Sequence, residues 1–193
     1  MALQLVKVFV IGVIVSVALG CSWIPEVDQE DFCFAKYAFK AKVKSVEQVD
    51  EYADYTYTID ILEDYKNTNK AVGNIDTITG NGPGRTCGPQ KLKIGEAYLI
   101  YAYVRRYNKK LYILKYRSMD YVKPSDIERM RTKYDCSCKI EWYYSNLSSR
   151  ASLEHPPPTR DECNVSGIYC RNSAFCRRNE TGVCTWGNLG ECD

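Results

Sequence analysis

Tyr37-Ala38-Phe39-Lys40-Ala41-Lys42-Val43-Lys44-Ser45-Val46 alternates apolar and basic side chains. Phe39, Ala41 and Val43 fall on one side, and Lys40, Lys42 and Lys44 on the other. A period of two sends successive side chains to opposite faces of an extended chain, so the stretch reads as a half-buried β-strand with a solvated lysine face. The alternation returns over residues 55–62, where Tyr55, Tyr57, Ile59 and Ile61 oppose Thr56, Thr58 and Asp60. The short polar connection between them makes the pair a hairpin.

Further strands read at residues 74–79, 97–104 and 111–116, the last two joined by a turn at 105–110. Gly80-Asn81-Gly82-Pro83-Gly84 forces a loop after the third strand, and that loop ends in Arg85-Thr86-Cys87-Gly88. Pro124-Ser125-Asp126-Ile127-Glu128 opens a helix, with Ser125 as cap and Glu128 completing a capping box. The acidic run before Cys33 reads as a second, short helix. Five strands with flanking helices predict a mainly β fold, a closed or partly open five-stranded barrel of the OB type. From Cys138 onward the alternation stops, and His155-Pro156-Pro157-Pro158 interrupts the chain. Residues 139–193 therefore read as a small disulfide-stapled C-terminal subdomain with little core of its own.

Residues 1–20 carry Lys7, an apolar run from Val8 to Leu19, and small residues at Ala18 and Gly20. That layout is a secretory signal peptide, and cleavage after Gly20 leaves Cys21 as the first mature residue. A membrane anchor and an acylated bacterial lipoprotein cysteine are the competing readings. The uncharged run is short for a span, and the downstream cysteines argue against the lipoprotein. All ten cysteines lie at or after Cys21, an even count that reads as a disulfide framework in an oxidising compartment. Sequons at Asn146, Asn164 and Asn179 add a secreted glycoprotein to the expectation.

Composition excludes several activities. His155 is the only histidine and there is no C-x-x-C pair, so neither a metal site of the chain's own nor a histidine general base is expected. The chain is read as a non-enzyme without a cofactor. A net charge of +2 is too small to imply nucleic-acid binding.

The mature start Cys21-Ser22-Trp23-Ile24-Pro25, then Asp31-Phe32-Cys33 and Phe39-Lys40-Ala41-Lys42-Val43, closely resembles the tissue inhibitors of metalloproteinases. Arg85-Thr86-Cys87-Gly88, Gly95-Glu96-Ala97-Tyr98-Leu99-Ile100 and Gly182-Val183-Cys184-Thr185-Trp186 extend the resemblance through most of the mature chain. It implies a netrin-like inhibitory domain at 21–138 and a C-terminal subdomain at 139–193. It also implies the bridges Cys21–Cys87, Cys33–Cys136 and Cys138–Cys184; Cys163–Cys192 and Cys170–Cys176 are expected from the cysteines left over. One departure stands out. The family usually begins Cys-x-Cys, but Trp23 occupies the third mature position and no cysteine lies in residues 111–116. This is an invertebrate-type pattern lacking one N-domain disulfide, with Trp23 expected to pack against Tyr116.

The function implied is inhibition of matrix metalloproteases or related zinc endopeptidases. The unprotonated amine nitrogen and the carbonyl oxygen of Cys21 would chelate the target's zinc, the only metal involved. Ser22 would enter the main specificity pocket, Trp23, Ile24 and Pro25 would follow the cleft, and Arg85, Thr86, Cys87 and Gly88 would form a second contact edge. Two other readings stay open: a netrin-like binding module for extracellular matrix or a receptor, and a structural extracellular protein, to which only the sixteen tyrosines point.

Overall fold

The alternating segment becomes β1 (Tyr37–Glu47), antiparallel to β2 (Tyr55–Asp64), with Lys42 opposite Asp60 and Val43 opposite Ile59. The computed structural model describes residues 27–66, 72, 77–141, 159–164 and 173–187. β3 (Thr77–Gly80), β4 (Ala97–Val104) and β5 (Leu111–Ser118) complete a closed barrel in the order β1-β2-β3-β5-β4. The β3–β5 contact is parallel and the other four are antiparallel. Closure pairs every strand on both sides and leaves no sheet edge to manage. This is the mainly β, OB-type architecture that the strand pattern predicts.

Phe39, Val43, Tyr57, Ile78, Ile100 and Ile113 meet inside the barrel. The interior also takes up tyrosines, because their hydroxyls find partners at the barrel's end. Tyr57 donates to the Gln90 carbonyl at 2.7 Å and accepts from the Leu92 N–H at 3.1 Å. Tyr98 accepts from the Lys93 N–H at 3.0 Å and donates to Glu96 at 2.8 Å. Tyr57→Phe strands a buried N–H and a carbonyl together, so it is expected to cost about 1–3 kcal/mol. A lower urea midpoint with an unchanged slope would show that loss.

A second core lies outside the barrel wall. There α1 (Asp28–Phe34) and α2 (Pro124–Thr132) supply Phe32 and Met130 to a cluster with Ala38, Leu99, Tyr101 and Tyr65. The first residues of β1 and most of β4 are thus buried on both faces. The start of α2 differs from the sequence expectation. Pro124 occupies the first turn, where its fixed φ and missing N–H cost nothing. This moves the start upstream: Asp126, not Glu128, reaches back to accept the Lys123 N–H at 3.1 Å, and Ser125 lies inside the helix.

The acidic face of α1 is buried rather than solvated. Lys115 on β5 forms ion pairs with Asp28, at 3.3 Å, and with Asp31. Tyr101 and Tyr134 both donate to Asp28, at 2.7 and 3.1 Å. Burial opposes the Lys115 charge, but the two carboxylates outweigh it and hold the ammonium above the usual lysine range. Burial and the nearby Asp28 charge push Tyr101 well above the usual phenol range, so it stays a donor.

Beyond the barrel, β6 (Lys139–Glu141) pairs in parallel with β7 (Glu162–Asn164), and β8 (Phe175–Arg178) forms a hairpin with β9 (Cys184–Gly187). Cys33–Cys136 ties α1 to the segment after α2, and Cys138–Cys184 ties that segment to β9. The third bridge corrects the sequence reading: Cys163 pairs with Cys176, not with Cys192, and Cys176 is therefore not bonded to Cys170. The short strands explain the change. Cys163 on β7 and Cys176 on β8 are buried in one small cluster with Cys138 and Cys184. Cys170 and Cys192 lie outside the described residues. The Sγ atoms of Cys138, Cys176 and Cys184 lie within 4.8 Å of one another, but all three are oxidised and offer no thiolate to a metal.

Gln29 joins the two parts of the molecule. It is only 1% exposed. Its amide donates to the carbonyls of Cys176, at 2.8 Å, and Asp135, at 3.0 Å, and accepts from the Cys176 N–H at 2.6 Å. Among the described residues, no helix is long and apolar enough to cross a membrane.

Candidate functional site

Arg85, Thr86, Cys87 and Gly88 sit in the connection between β3 and β4, and the first three are exposed. The connection is closed at its feet. Gln90 donates its N–H to the Asn81 carbonyl at 2.8 Å, and its side-chain oxygen accepts the Asn81 N–H at 2.8 Å. The same side chain donates to the Ile113 carbonyl at 3.3 Å, and Tyr57 holds the Gln90 carbonyl from within the barrel. The exposed residues therefore stand on a fixed base.

A second clamp comes from Asp54, in the turn just before β2. It takes a two-point contact from Arg85, Nε to Oδ1 at 2.8 Å and Nη2 to Oδ2 at 2.5 Å, and accepts the Gly82 N–H at 3.1 Å. Fork-to-fork pairing fixes the direction of the guanidinium as well as its position. Gly82 is needed for this approach, because a Cβ there would lie 2.0 Å from the Ala53 carbonyl oxygen. Gly88 turns the chain at φ +74°, where any side chain is strained. Cys87 is disulfide-bonded to a partner outside the described residues.

Arg85 hydrogen bonding holds the Asp54 carboxyl below its usual range, more than offsetting partial burial, and the Gly82 N–H adds to the effect. A carboxylate whose folded pKa is depressed stabilises the fold above its unfolded pKa, about 3.9. That contribution is lost only as pH falls through the depressed value. The amide resonances of Gly82 and Arg85 are therefore expected to stay constant from neutral pH down to about 4 and to move only below it. A transition near neutral pH would show that Asp54 does not govern the loop.

Two neighbouring turns border this loop. The β1–β2 turn carries Val49, 96% exposed, and Tyr52, 69% exposed, and its Tyr52 and Ala53 carbonyls lie against Gly82 and Gly84. On another side Arg105, in the β4–β5 turn, is close enough for its charge to act on both Asp54 and Arg85. Sequence reasoning found the two turns but not their place beside this loop, and it missed Asp54 and Gln90. No local pattern links an aspartate in a polar turn to an arginine 31 residues on.

Cys21, Ser22, Trp23, Ile24 and Pro25 lie outside the described residues. Tyr116, the expected neighbour of Trp23, packs partly buried against the barrel core, edge-on to Tyr98 at 5.9 Å. Of the sequons, Asn179 lies exposed in the β8–β9 turn and accepts from the Thr181 hydroxyl at 2.8 Å. Asn164 sits on β7, where its carbonyl accepts from the Trp186 indole at 2.7 Å. Asn146 lies outside the described residues.

Comparison with curated proteins finds no match. The model of one protein family, the UNC-6/NTR/C345C module, matches residues 30–139, from within α1 through the barrel and α2 to the start of β6. NTR modules serve as binding and inhibitory domains rather than catalytic ones, in protease inhibitors and in netrin-like binding proteins. With more than half of its length matched and the barrel closed as described, this chain belongs to the UNC-6/NTR/C345C family.

Proposed function

We propose that this chain is a secreted inhibitor of zinc metalloproteases of the tissue-inhibitor type, acting through a mature N-terminus at Cys21. The observation that carries the reading is the Arg85–Gly88 segment: exposed from Arg85 to Cys87, clamped by Asp54 and Gln90, and bonded through Cys87. A disulfide from Cys87 to Cys21 would set the terminal residue beside that fixed edge. The disulfides and the extracellular-type module support secretion and an oxidising compartment.

In this reading the amine nitrogen and carbonyl oxygen of Cys21 bind the zinc of the target enzyme at the position its water leaves open. Ser22 enters the specificity pocket, Trp23, Ile24 and Pro25 follow the cleft, and Arg85 to Gly88 press on its opposite rim. The clamps supply preorganisation, since a loop already ordered loses little freedom on binding. Domain organisation follows the same division: a signal at 1–20, the inhibitory domain at 21–138 and the C-terminal subdomain at 139–193, with N-glycans at Asn146, Asn164 and Asn179.

Titrating the secreted protein against a panel of matrix metalloproteases and related zinc endopeptidases tests the reading directly, and stoichiometric inhibition of at least one is expected. No inhibition by a protein whose N-terminus is verified as Cys21 would leave a netrin-like ligand of matrix or receptor in its place. Peptide mapping without reduction is expected to join Cys21 to Cys87; Cys87 joined to Cys170 or Cys192 would remove the basis for chelation.

A further inference from the structure

The turn between β1 and β2 holds up a tyrosine whose side chain the fold does not use. Tyr52 is 69% exposed, and among the described residues its ring and hydroxyl make no hydrogen bond or ring contact. Its backbone is fixed instead. The Tyr52 N–H donates to Asp50 Oδ1 at 2.8 Å, and the Ala53 N–H donates to the Asp50 carbonyl at 3.2 Å. Gln48 closes the turn from its other side, donating to the Ala53 carbonyl at 2.9 Å. Residues 46–52 are exposed without a break, so an enzyme can reach the phenol from the open side of the turn.

The charge around this phenol has one sign. Glu47, Asp50, Glu51 and Asp54 lie within five residues of Tyr52 in sequence, and no lysine or arginine does. Glu47, Asp50 and Glu51 are exposed with it, whereas Asp54 is taken by Arg85. The other strongly exposed tyrosines of the described residues are placed differently. Tyr107, 79% exposed, stands among Arg105, Arg106, Lys109 and Lys110, and its hydroxyl accepts from Arg105 at 3.0 Å. Tyr121, 77% exposed, has Arg117 and Lys123 within the same reach as Asp120 and Asp126. An enzyme that moves a sulfuryl group out of an anionic donor holds that donor in a cationic site, and such a site favours an acceptor with acidic flanks. Of the three, only Tyr52 offers them.

We propose that Tyr52 is a site of tyrosine O-sulfation, modified in the secretory pathway from a nucleotide phosphosulfate donor. The proposal rests on the secretion reading above and needs nothing of zinc chelation by Cys21. In the transfer, the phenolic oxygen forms a bond to the donor's sulfur while the bond from that sulfur to the bridging phosphate oxygen breaks. The phenol proton passes to a base of the enzyme, and the nucleotide phosphate leaves with the electron pair. Nothing is oxidised or reduced. A phenol that is neutral below pH ~10 becomes an ester that is anionic throughout the physiological range. The Tyr52 carbonyl lies 2.9 Å from where a Cβ on Gly82 would stand, so the new fixed charge borders the loop that carries Arg85.

The full chain, secreted from eukaryotic cells fed radiolabelled sulfate and stripped of N-glycans, is expected to carry label in the tryptic peptide of residues 45–66. That peptide should gain the mass of one SO3 group. Tyr52→Phe should abolish the label, and Tyr107→Phe should leave it. Glu47→Gln combined with Glu51→Gln should reduce it several-fold at an unchanged melting temperature, since neither carboxylate makes a contact among the described residues. Label that survives Tyr52→Phe in this peptide, or a native secreted chain without label, overturns the proposal. Added mass that a phosphatase removes is phosphate, and overturns it equally. Chain purified from sulfate-starved cells and incubated with labelled phosphosulfate and a Golgi extract gives an arm independent of export. Labelling of Tyr52 there, in a chain that cells do not release, counts against secretion alone; no labelling there counts against Tyr52.

Discussion

A single alanine placed before Cys21 is expected to reduce metalloprotease inhibition by orders of magnitude while leaving the melting temperature unchanged. The added residue alters no side chain of either described core. Phe39, Ile100 and Ile113 inside the barrel, and Phe32 and Met130 outside it, keep their contacts. The extension likewise removes no cysteine of Cys33–Cys136 or Cys138–Cys184. What changes is one nitrogen. As an amine it has a lone pair to give to a metal; as a secondary amide that pair is delocalised into the carbonyl, and the nitrogen is a very poor ligand. The extra atoms would also occupy the space of the metal. Inhibition constants and thermal melts of the two proteins decide the matter, and equal inhibition would remove Cys21 chelation from the account.

Gln29→Ala is expected to cost about 2–5 kcal/mol of stability, a large loss for a polar side chain. The side chain is buried and makes three hydrogen bonds, two of them to the backbone of Cys176. Truncation leaves that N–H and carbonyl pinned by the Cys163–Cys176 bridge, enclosed and without partners. Gln29→Glu should not rescue it, since a carboxylate can still accept the Cys176 N–H but cannot donate to the two carbonyls it faces. A chain ended after Cys138, with that cysteine replaced, is a milder change. It removes Cys176 altogether and lets water take over the Gln29 amide. Such a chain should fold with a higher denaturation midpoint than full-length Gln29→Ala. The reverse order would mean that the C-terminal part supports the barrel by some route other than Gln29.

The barrel was largely legible because its inner face obeys a period of two. Phe39, Ala41 and Val43, and again Tyr57, Ile59 and Ile61, point inward as their spacing requires. The outer core was not legible, and α1 shows why. The acidic run reads only as a short helix, with no sign of which face is buried; Lys115 and Tyr101, far away in sequence, supply the charge and donors that make burial of Asp28 and Asp31 tolerable. Buried polar groups become readable only once their partners are placed. The site divided in the same way. Arg85 to Gly88 could be picked out by resemblance, but the clamp by Asp54 and Gln90 depends on pairing across the barrel. The C-terminal bridges had no local signal either, and Cys163–Cys176 follows from strands only three and four residues long.

The parallel contact between β3 and β5 gives the barrel an uneven resistance to opening. β1 and β2 share eight register pairs, whereas β3 meets β5 through one, Thr79 opposite Tyr112. Local opening of a folded chain follows the fewest contacts, so amide hydrogens near Ile78 and Ile113 should exchange with solvent sooner than those of β1. The Gln90 side chain, reaching across to the Ile113 carbonyl, is a stitch over that seam and belongs to the loop that carries Arg85. A partner gripping the loop would therefore hold the seam shut, and protection from deuterium at Ile78 and Ile113 would report its arrival without any direct contact.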